Sequence, residues 1–134
     1  MKNLELYEKY KKVPASALKE FNNGKFSGTD INTMWRIKSL TEEFGICGIG
    51  WYYDIIRLWS EPAPDNAVMC FAEIKLYIKK DNEWSRGISA TGGSQIVQYF
   101  SSKKYTAAND EGYKMALTDA FGVACKYLGL GADV

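Results

Sequence analysis

Histidine is absent from the 134 residues. That removes Ser-His and Cys-His catalytic pairs and every zinc site that needs an imidazole. Cysteine occurs only three times, at Cys47, Cys70 and Cys125. An odd, widely spaced set does not make a disulfide framework; it fits reduced thiols buried as small hydrophobes, in the cytosol. No apolar run approaches the ~20 residues that cross a bilayer. The first residues, MKNLELYEKYKK, are too polar for a secretory leader. Charge of one sign is also missing. Seventeen basic residues stand against sixteen acidic ones, so any phosphate-binding surface must come from local segregation.

What is present is an ordinary globular composition of a length that suits one domain, 1–134. Residues 1–24 are expected to form an N-terminal helical segment. Within it, residues 2–12 are charged and helix-prone, and Pro14 opens a second helix, ASALKEF. KFSGTDIN is expected to be a loop whose Asp30 or Asn32 caps the helix TMWRIKSLTEEF, and Gly45 stands at the C-terminal cap position.

Three strands are expected next. The first, 50–59, is aromatic and β-branched. In AVMCFAEIKLYIKK, Val68, Cys70, Ala72, Ile74, Leu76 and Ile78 alternate onto one apolar face. Asp81-Asn82 makes a tight turn into EWSRGISAT. Thr91-Gly92-Gly93-Ser94 is expected to break that strand, and QIVQYFS reads as helical.

A last helix begins near Asn109. At 100° per residue, Ala116, Ala120, Phe121, Val123, Ala124 and Tyr127 join its apolar arc. Thr118, Asp119 and Gly122 fall opposite. These elements give an α+β fold: an antiparallel three-stranded β-meander packed by helices.

The ordered motifs FG-x-x-G-x-GW (Phe44 to Trp51) and K-x-A-L-T-D-A-x-x-x-A-x-x-x-LG (Lys114 to Gly129) resemble the Rad-fifty-two-type single-strand annealing proteins, phage recombinases among them. The resemblance spans roughly residues 13–131, with 25–131 as the annealing core. It implies a β-β-β-α core assembled as a ring or filament. It also implies a homo-oligomer that binds single-stranded DNA and anneals complementary strands without ATP, an enzyme activity or a cofactor. The setting would be homologous recombination in the cytoplasm of a bacterial host. A single-stranded DNA-binding protein or an exonuclease would be a further partner; a membrane would not.

Carried over position by position, the family's groove arginine falls on or near Lys25. The hairpin lysine falls on Lys79 or Lys80, and the lysines before the last helix on Lys103 with Lys104. A Lys-Arg pair expected after the TD pair is replaced by Gly122 and Val123; only Lys126, one turn on, is charged. Cations read directly from the sequence add Arg36, Arg86 and Lys114, since a single strand needs spaced positive charges and aromatic platforms. No metal site is expected.

Two other readings come from different classes. Asp54 with Glu73-Ile74-Lys75 has the spacing of a Mg²⁺-dependent restriction-type nuclease. A non-DNA protein-interaction module would instead use the free sheet edges. For Thr118 and Asp119 a local or interface architectural role is expected, with Asp119 pairing with a nearby cation, on this chain or on another subunit, and Thr118 bonding back to the backbone.

Overall fold

The computed structural model describes residues 2–22, 27–100 and 104–134. Helix α1 (Glu5–Tyr10) is followed by a hairpin of β1 (Leu18–Asn22) and β2 (Ser27–Ile31), then helix α2 (Thr33–Phe44). Strands β3 (Trp51–Pro62), β4 (Val68–Lys80), β5 (Glu83–Trp84), β6 (Ile88–Phe100) and β7 (Tyr105–Ala108) precede helix α3 (Gly112–Tyr127). Short 3₁₀ turns lie at Lys2–Leu4, Ala15–Ala17 and Pro64–Asn66.

The three-stranded meander is therefore incorrect. The main sheet runs β3-β4-β6-β7, with β5 paired to β4, and a separate two-stranded sheet holds β1 and β2. The expected helix ASALKEF is instead a 3₁₀ turn leading into β1, and the expected loop KFSGTDIN contains β2. Leu18 pairs with Ile31 and Asn22 with Ser27, so cross-strand pairing overrides the helix propensity of this short stretch. Of the expected helix QIVQYFS, the described residues Gln95 to Phe100 are not helical. They continue β6, whose Val97–Phe100 end pairs with β7.

The chain packs as two compact units. The first comprises Met1–Tyr52, Ile78–Ser85 and Cys125–Val134. Tyr10, Ala17, Leu40, Trp51, Cys125 and Leu130 are buried in it. Asn32 caps α2 as expected, its Oδ1 accepting the Met34 N–H at 2.9 Å. At the other end Gly45 adopts φ 116°. The chain then folds back so closely that a Cβ on Gly50 would overlap the Phe44 carbonyl. Trp51, 3% exposed, donates its indole N–H to Thr41 Oγ1 at 3.3 Å. The FG…GW motif is thus the geometry of one tight return from helix to strand.

The second unit comprises Tyr53–Tyr77 and Arg86–Ala124. Its part of β4 alternates as expected: Cys70, Ala72, Ile74 and Leu76 are all 0% exposed. Cys70, Ala72 and Ala116 form a core with Ile96, Tyr113 and Leu117 around it. Thr91-Gly92-Gly93-Ser94 does not break the strand; it is paired throughout with Cys70 to Glu73. A Cβ on Gly92 would overlap the Ala116 carbonyl oxygen and the Ala120 amide nitrogen. The missing side chain lets α3 lie directly on the β6 backbone.

Gly122 is buried rather than on an outer arc, while Val123 and Tyr127 are exposed. Among the described residues no helix is long and apolar enough to cross a membrane.

Candidate nucleic-acid interface

The β4–β5 hairpin carries the best-formed cluster of expected contacts. Asp81 and Asn82 take φ 52° and 64°, the positive pair required by a two-residue turn whose twist matches its strands. Lys79 consequently stands opposite Trp84, and Lys80 opposite Glu83. Beyond them Ser85 fastens the ladder. Its N–H donates to the Ile78 carbonyl at 2.8 Å, and its Oγ accepts the Ile78 N–H at 3.0 Å. Lys79 Nζ lies 5.7 Å from the centre of the Trp84 ring, within cation–π range. Tyr52 meets the same indole edge-on, with ring centres 5.1 Å apart and planes at 79°. Trp84 remains 41% exposed.

Lys79 and Lys80 also line one side of a cleft of about 580 Å³, which Lys2, Lys9, Glu43 and Asp81 border as well. One of its carboxylates is already engaged: Glu43 accepts from Lys9 Nζ at 2.9 Å and from the Tyr10 hydroxyl at 3.1 Å. The Lys9 hydrogen bond holds the Glu43 carboxyl below its ordinary value. Burial, then hydrogen bonding to Glu42 and Glu43, pushes the Tyr10 phenol well above its own.

The other expected contacts are dispersed. Lys25 and Lys103 lie outside the described residues. Arg36 is half-buried on α2, close to Gly131 and to the Cys125 thiol. Arg86 is exposed beyond β5, Lys104 is exposed in the turn before β7, and Lys126 is exposed in the last turn of α3. Lys114 is exposed and sits 3.9 Å from Glu111. Among the described residues, Lys79, Lys80, Arg86, Lys104 and Lys126 form no ion pair, whereas Lys9, Lys11 and Lys114 do.

Sequence reading passed over two aromatic features. Arg57 lies 4.5 Å over the Trp59 ring, and Trp59 stacks on Phe71 at 5.4 Å and 27°. Phe71 in turn covers the bare position of Gly93. The period-two spacing of Arg57 and Trp59 was the available signal. Phe100 and Tyr105 stack at 5.4 Å across β6 and β7, both exposed; the mistaken helix over QIVQYFS had hidden that pair.

Among the described residues Asp119 forms no ion pair. Its Oδ2 accepts the Gly93 N–H at 3.1 Å, so the TD motif joins helix to strand. Of the nuclease trio, Asp54 is exposed on β3, while Glu73 and Lys75 are half-buried on β4 opposite Thr91 and Ser89. Among the described residues no group of three or more candidate metal ligands comes together.

No protein-family model matches the chain, and no curated protein matches it significantly.

Proposed function

We propose that this chain binds single-stranded DNA as a homo-oligomer and promotes ATP-independent annealing of complementary strands, without itself catalysing bond cleavage. The observation that carries this reading is that five of the expected contacts, Lys79, Lys80, Arg86, Lys104 and Lys126, stand outside ion pairs among the described residues. Each can neutralise a phosphate without first giving up a carboxylate, and release of counterions from the strand then drives association. The resemblance of the FG…GW and K-x-A-L-T-D-A motifs supplies the annealing activity. It also supplies the setting: recombination in a bacterial cytoplasm alongside a single-stranded DNA-binding protein or an exonuclease.

Oligomerisation draws support from β3. It is an edge strand, and Ile55, Ile56 and Leu58 on it are 49%, 47% and 44% exposed. Long apolar edges of this kind are normally shielded by another strand.

The test is titration of labelled single-stranded and double-stranded oligonucleotides at several salt concentrations, followed by annealing of complementary strands. Tight, salt-sensitive binding to single strands and faster annealing are expected. A folded, oligomeric protein that binds no oligonucleotide at low salt would leave the β3 edge as the governing feature. It would favour the protein-interaction module instead.

A further inference from the structure

The geometry points to Trp84 as a base-stacking platform for single-stranded DNA, with Lys79 and Lys80 taking the phosphates beside the stacked base. The inference rests on the DNA-binding reading above and names the residue that engages the bases at this hairpin.

Four observations converge on it. First, an indole on a two-residue strand beside a reversed turn would normally be a liability, yet Trp84 keeps 41% of its surface open. Second, it is held in place. Tyr52 props it edge-on, the Asp81-Asn82 turn fixes the hairpin, and the two Ser85–Ile78 hydrogen bonds fasten the strand after it. A platform already fixed loses little freedom when a base lands on it. Third, the cations are local. Lys79 Nζ is 5.7 Å from the indole centre, and Lys80 is the next residue and exposed. Glu83 stands opposite Lys80 in register, but the two form no ion pair.

Fourth, the other tryptophans are committed elsewhere. Trp51 is buried. Trp59 is stacked on Phe71, lies under Arg57, and directs its indole N–H to Glu61 at 3.3 Å. Trp35 is half-buried and meets Tyr10 edge-on at 6.4 Å. Trp84 thus combines an indole that is still 41% exposed with adjacent lysines that form no ion pair among the described residues. Stacking is indifferent to base identity because every base has a π-face, so this contact would bind a strand without selecting sequence.

The experiment measures affinity of the full chain for oligothymidylate and for an abasic oligonucleotide of equal length. Wild-type protein is expected to prefer the strand with bases. Trp84→Ala should weaken oligothymidylate binding about tenfold and leave the abasic affinity nearly unchanged, while Trp84→Phe retains most of the preference. Lys80→Gln should weaken both strands by the same factor and flatten the salt slope by about 0.7.

Equal loss on both strands in Trp84→Ala would assign Trp84 a structural role and overturn the proposal. A wild-type protein that binds both strands equally would overturn it as well, while leaving DNA binding intact. Failure to bind either strand would remove both the platform and the function it serves.

Discussion

The backbone N–H of Gly93, in the middle of strand β6, donates to the Asp119 carboxylate on helix α3 at 3.1 Å. The neighbouring Gly92 lets the helix come close enough for that bond, since Ala116 and Ala120 lie directly above it. The Thr-Asp segment of the helix is thereby a structural clasp between helix and sheet. It explains an acidic residue in a chain read as a DNA binder.

Gly92→Ala should destabilise the protein by about 2–3 kcal/mol, because the new methyl meets backbone atoms that cannot step aside. Gly93→Ala should cost less than about 1 kcal/mol. Its Cβ would sit 3.1 Å from the Phe71 ring, and an alanine in a strand recovers some unfolded-state entropy. Urea denaturation of the two variants checks this; equal losses would show that helix contact is not what the first glycine serves.

Replacing Asp119 with alanine removes one hydrogen bond to the backbone, and a loss of about 1 kcal/mol is expected. Oligonucleotide affinity, measured well below the melting temperature, should not fall. A drop in affinity with unchanged stability would give Asp119 a role at the DNA that its present partner does not suggest.

Thiol chemistry should separate the three cysteines sharply. Cys47 is exposed, Cys70 and Cys125 are buried, and burial raises the Cys70 thiol and pushes that of Cys125 up to about 12. Since the thiolate is the reactive form, a disulfide reagent at pH 8 should modify Cys47 alone in folded protein. The other two should follow only on unfolding. Rapid reaction of Cys125 in the native state would contradict the packing around it.

Acid should weaken the α1–α2 contact in a defined window. The Glu43 carboxyl is held below its ordinary value by Lys9, so the folded state binds that proton less readily than the unfolded chain. The resulting stability is present above the unfolded carboxylate pKa of about 4.3 and is lost as pH falls through the lowered folded value. Glu43→Gln should therefore be less stable than wild type at pH 7, and the gap should close as the pH falls through the lowered folded value. High salt should narrow the neutral gap, because the pair is largely exposed.

Ile56→Lys and Leu58→Lys place charge on an exposed stretch of β3, so folding should survive. Light scattering should report smaller particles than wild type. Unaltered particle size in the double variant would remove β3 from any account of assembly.

Some of this was legible beforehand because its causes are local. The alternation through Cys70, Ala72, Ile74 and Leu76 needs only the pleat, the Asn32 cap only its own next turn, and the Asp81-Asn82 reversal only two residues. Where a distant element decides, the local signal misleads. Gly92 and Gly93 read as punctuation because glycine usually ends a strand, yet here the absent Cβ of Gly92 and the N–H of Gly93 answer to a helix more than twenty residues later in the chain. Leu18–Asn22 is short and rich in helix formers, and only its partner Ser27–Ile31 makes it a strand. Gly122 looked outward on a helix assumed to be covered on one side, but it is buried. At the hairpin the lysines were visible in the sequence, but the pairing that sets Lys79 beside the Trp84 ring follows from the turn type.

One consequence of the unpaired margin of β3 concerns dosage. If copies of the chain pair along that edge, the abundance of the paired species becomes a function of how many chains are present. Output would then climb faster than in proportion to supply, and a modest shortfall in synthesis would silence the protein as effectively as a damaging substitution.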